Sequence, residues 1–243
     1  MKYIHTETIH NTRSADQVVP LLVSLFSPSS VIDVGCGTGT WLKVFKEYGV
    51  HRLCGIDGHY VSKESIVIPI ENFKGVDLEK KIDMSDQYDL LLCLEVAEHL
   101  SQERAGDFIS DLCRLSNTIV FSAAIPFQGG QNHLNEQYPA YWKNLFSIYG
   151  FKCYDIIRPL VWQNIAIDWW YRQNIFVYSK SKLTPTTYNY ETANVFISKD
   201  LYELKNEEIK NLNLNLINLK NNERGIKYHF FCLFRALQKR INY

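Results

Sequence analysis

The chain has 243 residues, enough for one sizeable core or for one domain with an appendage, and its 26 lysines and arginines equal its 26 aspartates and glutamates. This balance gives no global field to draw the protein onto a polyanion, so long nucleic acid is not the expected partner. The opening MKYIHTETIHNTRSAD lacks a signal-like apolar run, and no stretch approaches the roughly 20 apolar residues of a membrane span, so a cytoplasmic protein is expected.

In chain order, Ser14 and Gln17 have capping-box spacing ahead of VVPLLVSLF, a helix that Pro20 is expected to limit or kink. Seven strand-sized runs follow: SSVIDVG, RLCGID, SIVIPI, YDLLLCL, NTIVFSAA, FKCYDIIR and NIFVYS. Several are apolar at successive positions, as strands buried on both faces should be. Between them, WLKVFKEYG, SQERAGDFISDLCRLS and YPAYWKNLFSIYG space their apolar residues as helices do. The alternation predicts an α/β fold, a doubly wound and mostly parallel seven-stranded sheet, over residues 1–180. The six cysteines are scattered without a Cys-x-x-Cys pair and read as reduced, small hydrophobic residues.

Residues 181–243 read as a linker, KSKLTPTTYNYETAN, and a helical tail. NLNLNLINLKNN alternates as a strand would, yet Leu212, Leu216 and Leu219 suit a helix. From Ile226 a basic amphipathic stripe includes Phe230, Phe231, Leu233, Phe234 and Leu237. It suits packing on the domain or on a second copy to form a homodimer, or contact with an anionic membrane surface.

After the first strand stands Asp33-Val34-Gly35-Cys36-Gly37-Thr38-Gly39-Thr40-Trp41. Its glycines permit a sharp turn and bring bare N–H groups to a ligand at a helix start. Asp57 ends the second run, where a carboxylate can accept from ribose hydroxyls. The spacing is G-x-G-x-G with an acid two residues before the first glycine, unlike the dinucleotide fingerprint. It resembles motif I of the class I S-adenosylmethionine (SAM)-dependent methyltransferases. The resemblance implies SAM as cofactor, with Gly35, Gly37 and Gly39 along its methionine part, Asp33 beside its amino group and Asp57 on its ribose. It also places Asp77 and Leu78, after the third strand, at the adenine edge.

Glu95-Val96-Ala97-Glu98-His99 follows the fourth run. A helix beginning near Val96 would aim Glu95, Glu98 and His99 from one face toward the methyl donor. Three readings stand: a divalent metal site, an acid/base cluster without metal, and a helix start whose acids suit the macrodipole. E-x-x-E-H here resembles the metal site of small-RNA 3′-terminal 2′-O-methyltransferases and of some ubiquinone-pathway O-methyltransferases. That resemblance implies Glu95, Glu98, His99 and His133 as ligands of an ion such as Mg²⁺, although the spacing to His133 departs from the RNA enzymes.

The loop IPFQGGQNHLNEQYPAYW leaves the fifth run beside the methyl donor. Gln128, Gln131, Asn132, His133, Asn135, Glu136 and Gln137 offer donors and acceptors suited to a polyhydroxylated molecule, with Tyr138, Tyr141 and Trp142 as a flat wall. His133 is the expected base, with Glu98 and His99 as catalytic neighbours. Arg158 and Arg172 could grip a diphosphate, while Trp162, Trp169 and Trp170 read as anchors without a catalytic role. Residues 11–179, above all the Gly-Gly to Asn-Glu-Gln and Trp-Tyr-Arg-Gln-Asn stretches, resemble bacterial methyltransferases of surface-glycan and capsule biosynthesis. This implies O-methylation of a sugar hydroxyl on a nucleotide-activated sugar or growing glycan. Other small-molecule acceptors (phosphoryl or amine), an RNA 2′-hydroxyl and a non-catalytic ligand-binding subunit are the alternatives.

Overall fold

The computed structural model describes residues 11–183, 196–220, 230, 231 and 233–235. The chain divides into two compact units, Met1–Ser198 and Lys199–Tyr243. In the first, seven strands form one sheet: β1 (Ser30–Val34), β2 (Arg52–Asp57), β3 (Phe73–Gly75), β4 (Leu90–Leu94), β5 (Thr118–Ser122), β6 (Lys152–Tyr154) and β7 (Phe176–Ser179). The order across the sheet is β3-β2-β1-β4-β5-β7-β6. Strands β1 to β5 are parallel to their neighbours, whereas β7 runs antiparallel to both β5 and β6. The order reverses between β1 and β4, and such a switch point opens a crevice at the carboxyl ends of the strands.

Period-two alternation divides the core between the two faces of the sheet. In β4, Leu91 and Cys93 join Phe108, Leu112, Trp142 and Phe146 on one face, while Leu90 and Leu92 join Val18, Leu22, Leu42 and Phe45 on the other. The first face is covered by α3 (Ala105–Leu115) and α4 (Pro139–Ile148), the second by α1 (Arg13–Phe26) and α2 (Thr40–Glu47). Because both faces are covered, β1 and β4 are buried at every position. Five of the cysteines, at 36, 54, 93, 113 and 153, are buried free thiols.

Three sequence expectations are corrected. SIVIPI is not the third strand: the Val67 N–H donates to Thr38 O at 2.9 Å in the glycine loop, and Pro69 has no N–H to add to a ladder. The sheet instead takes Phe73–Gly75, paired with Gly55–Asp57. Ser14 does not cap α1, since it lies inside the helix and its hydroxyl donates to Asp168 Oδ2 at 2.7 Å. Pro20 does not end α1 either, and the helix continues to Phe26.

In the second unit the Leu-Asn alternation resolves as helix: α7 spans Lys199–Lys220. Ile209, Leu212 and Leu216 are exposed on it. Of the expected basic stripe, only residues 230, 231 and 233–235 are described, and they are helical; most of the linker, 184–195, lies outside the described residues. No described helix is long and apolar enough to cross a membrane.

Candidate active site

One cavity of about 930 Å³ opens at the carboxyl edge of the sheet. The loop from β1 to α2 forms its first wall, with Gly35, Gly37 and Gly39 at φ of 81°, 56° and 89°. These are left-handed values that glycine adopts without strain. A Cβ on Gly35 would also meet Val96 Cγ2 at 2.3 Å, so the glycine lets β1 lie against the start of the Glu95 box.

Two carboxylates stand behind this loop. Asp57 Oδ2 accepts from Gly37 N at 2.7 Å and Oδ1 from Gly58 N at 2.6 Å, so the end of β2 fixes the glycine turn. Each oxygen retains a lone pair for a further donor. Asp33 is buried, and its Oδ2 has no hydrogen-bond partner. Burial, and secondarily the charge of Asp57, push its pKa up to about 8. An orphaned carboxylate of this kind suits an ammonium group, whose charge would restore the ionised form. Asp77, Leu78, His59 and Tyr60 also line the cavity.

The Glu95 box is shaped differently from the helix expected. Glu95 has φ 55°, in the left-handed region, and only Ala97–His99 form a 3₁₀ turn. Glu95 therefore turns toward a set of amides: Gln128 Nε2 donates to its Oε2 at 3.1 Å, and Asn174 Nδ2 donates to its Oε1 at 3.2 Å. Its backbone N–H donates to Ser122 Oγ at 3.1 Å. Gln173 Nε2 and Asn174 Nδ2 both reach Gln128 Oε1, at 3.3 and 2.9 Å, which closes the amide cluster.

Glu98 is wholly buried, and neither carboxylate oxygen has a hydrogen-bond partner. Desolvation, followed by the charge of Glu95, drives its pKa well above the usual carboxylate range. Its backbone carbonyl accepts from Leu134 N at 2.8 Å and Asn135 N at 3.0 Å, so the box holds the acceptor loop in place. Ligand atoms of Glu98, His99 and His133 lie within 4.8 Å of one another. Glu95 is not in that trio, which holds three of the four expected ligands; its carboxylate accepts from the amides of Gln128 and Asn174. The rings of His99 and His133 meet edge to face at 4.9 Å. Burial and the neighbouring His133 lower the His99 pKa to about 4, so its imidazole is neutral near pH 7.

Gln128 through Leu134 line the cavity, and His133 with them. The expected aromatic wall does not: Trp142 is core, packed on Phe121 at 5.3 Å, and Tyr138 and Tyr141 are not in the lining. Trp169, Trp170 and Tyr171 stand there instead, at the start of α6 (Trp169–Asn174). Their signal in the sequence was the Trp-Trp-Tyr run itself, which shows aromatic concentration but not direction.

The arginines are also committed elsewhere. Arg158 is buried, its guanidinium donating to both Asp155 oxygens and to Gln173 O, with Phe176 at 4.0 Å and Phe196 at 4.9 Å from its ring-facing carbon. Arg172 donates to Ile167 O at 2.9 Å and Trp162 O at 3.0 Å. Neither lines the cavity, so the expected diphosphate grip is overturned. Among the described residues the lining carries seven carboxylates and no lysine or arginine.

Residues 8–122 match a family model described as a methyltransferase domain. No curated protein matches the sequence. Among solved structures, the methyltransferase domain of bacterial CtHen1-CN aligns at 18% identity and TM-score 0.50, covering 69% of this chain and 98% of that one. Magnesium protoporphyrin IX methyltransferase (ChlM) from Synechocystis PCC 6803, with bound SAM, aligns at 22% identity and TM-score 0.51 over 70% of this chain and 79% of that one. DesVI of Streptomyces venezuelae aligns at 14% identity and TM-score 0.50, over 70% and 92%. These likenesses show a Rossmann-like methyltransferase fold.

Proposed function

We propose that the chain is a SAM-dependent O-methyltransferase whose acceptor is a hydroxyl of a sugar, carried on a nucleotide or on a growing surface glycan. The observation that carries the reading is one continuous cavity with two chemically different ends. The glycine loop, Asp33, Asp57, Asp77 and Leu78 suit the amino, ribose and adenine groups of SAM. Gln128, Gln131, Asn132 and His133, with Trp169 and Trp170 in the same lining, suit a ring with several hydroxyls and apolar C–H faces. Glu95, Glu98 and His99 belong to the same lining.

In this reading the acceptor oxygen attacks the sulfonium methyl carbon in line, the S–CH₃ bond breaks, and the hydroxyl proton passes to His133. The sulfonium becomes a neutral thioether and the imidazole becomes the cation, so charge balances. Positioning of the two reactants in the cavity supplies much of the rate. His133→Ala is expected to leave SAM affinity within about twofold of wild type, while slowing transfer by about 10² to 10⁴, the usual range for a lost general base. Full turnover by that variant would remove His133 from the mechanism. Mass spectrometry of a nucleotide-sugar panel incubated with enzyme and SAM tests the acceptor class: a mass gain of one methyl group supports it. Methylation of phosphoryl or amine compounds alone would replace it with the other small-molecule reading. Retention of RNA in a filter-binding assay would favour an RNA 2′-hydroxyl instead.

A second reading is favoured by the unpartnered oxygens of Glu98. One carboxylate and two imidazoles within 4.8 Å fit a divalent cation, and this donor set suits manganese or zinc better than magnesium, which prefers oxygen ligands. Glu98, His99 and His133 would hold such an ion, and it would polarise the acceptor hydroxyl when bound. Undiminished turnover after thorough chelation would leave the metal-free reading standing. For the tail, the exposed Ile209, Leu212 and Leu216 on α7 suit packing against an apolar surface, and self-association of two copies is the form tested below.

A further inference from the structure

Glu136 lies outside the cavity lining, yet three groups converge on its carboxylate. Oε1 accepts from Gly129 N at 2.7 Å and stands 2.8 Å from His133 Nδ1, while Oε2 accepts from Phe127 N at 2.8 Å. Two of the three donors are backbone groups of an unusual turn. Phe127 has φ 68° although it carries a side chain, and Gly129 follows at φ 74°. A non-glycine residue in the left-handed region costs of order 1 kcal/mol or more and persists only where its surroundings enforce it. Here the Glu136 carboxylate anchors two N–H groups of the turn, those of Phe127 and Gly129, while Gln128 N donates to Ile125 O at 3.0 Å.

The third contact fixes a chemical state. A carboxylate at an imidazole nitrogen can only accept, so Nδ1 must carry the proton, and in the neutral ring Nε2 then carries the lone pair. The space around Nε2 depends on the next residue in the same turn. A Cβ on Gly130 would come within 2.2 Å of Nε2 and 2.4 Å of Cε1, so any side chain there would cover that nitrogen. Glu136 thus anchors the turn that leads into Gly130, where a side chain would meet Nε2, and holds the tautomer that makes Nε2 basic. His133 and Glu136 are 12% and 19% exposed at their side chains, so water competes little for the pair.

We propose that Glu136 is a positioning residue: it sets the His133 tautomer and the Phe127–Gly130 turn together, so that Nε2 is the nitrogen offered to the acceptor hydroxyl. The proposal rests on the reading of His133 as the proton acceptor. During transfer the hydroxyl proton moves to Nε2, and the resulting imidazolium keeps its Nδ1 proton against the carboxylate, which stabilises the positive charge.

The test is ¹⁵N nuclear magnetic resonance of the imidazoles in the full chain, with His133 identified by the loss of its signals in His133→Ala. Wild type is expected to show Nδ1 protonated and Nε2 bare. In Glu136→Ala the tautomer is expected to move to Nε2–H, the form preferred when no acceptor holds Nδ1. Glu136→Gln, whose side-chain oxygen can still accept from Nδ1, is expected to retain the wild-type pattern. A wild-type His133 protonated at Nε2 overturns the proposal, as does an unchanged pattern in Glu136→Ala. If Glu136→Ala fails to fold, the wild-type spectrum alone decides. The tautomer is read without turnover, so its failure is distinct from that of the methyl-transfer reading, which SAM calorimetry and His133→Ala turnover address.

Discussion

At the scale of single residues, the two aspartates of the cofactor end have different work. Asp57 joins the glycine turn to the end of β2 and keeps lone pairs for the proposed ribose contact. Replacing it with alanine removes a charged acceptor worth about 1.5–3 kcal/mol per hydrogen bond, so Asp57→Ala is expected to weaken SAM binding by about tenfold to a hundredfold in calorimetry. Unchanged affinity would sink the cofactor assignment. Asp33 has a folded-state pKa of about 8 against 3.8 in the unfolded chain. Between those values the folded state binds more protons than the unfolded one, so this residue lowers stability as pH rises through that window. Asp33→Asn carries no such charge, and its urea midpoint relative to wild type is expected to rise from pH 5 to pH 8. A difference that stays constant with pH would contradict the assignment. Both aspartates were legible in the sequence, since a strand, a glycine loop and a second strand end place them by local rules. Trp169 and Trp170 were not, because their direction depends on contacts such as Arg13 and Ser14 with Asp168, more than 150 positions apart in the chain.

At the scale of elements, alternation of apolar runs predicted most of the sheet, and failed where a run found a stronger competitor for its backbone. SIVIPI has the composition of a strand, yet Val67 bonds to the glycine loop and Pro69 interrupts the ladder. FKCYDIIR stops being a strand after Tyr154, where Asp155 turns to meet Arg158 at the start of α5 (Arg158–Val161). That arginine looked like a phosphate ligand because sequence alone does not reveal a buried carboxylate three residues away. Arg158→Ala would leave Asp155 buried and unpaired and remove the cation from between Phe176 and Phe196. A loss of about 3–5 kcal/mol in urea unfolding is expected. A change under 1 kcal/mol would show that the pair is not the anchor it resembles. The Glu95 box was legible as chemistry but not as geometry. Its Glu95, Glu98 and His99 line the cavity together, but the left-handed turn at Glu95 and the amides that meet its carboxylate, Gln128 33 positions and Asn174 79 positions downstream, are not local features of the run.

At the scale of the whole molecule, every residue lining the cavity lies between Asn11 and Tyr171, within the first compact unit. A chain ending at Ser198 is therefore expected to bind SAM with wild-type affinity, and a loss beyond about tenfold would tie the second unit to the site. Sedimentation of the two forms reads the proposed self-association: the full chain is expected to run as a dimer and the shortened one as a monomer. The reversed strand has a separate consequence for how such a site can change. Because β7 runs opposite to β5, its first residues arrive at the same edge as the last residues of β5, bringing α6 and the amides of Gln173 and Asn174 with them. The donor end of the chamber is fed by β1, β2 and β4, and the acceptor end by the segments after β5 and before β7. Glu95 is the seam between them, with its backbone on the donor side and its carboxylate held from the acceptor side. On the proposed function, substitutions in Gly129–Leu134 and Asp168–Tyr171 would redraw what is methylated while the glycine loop and its aspartates stay intact, provided Gln128, Gln173 and Asn174 remain at the seam.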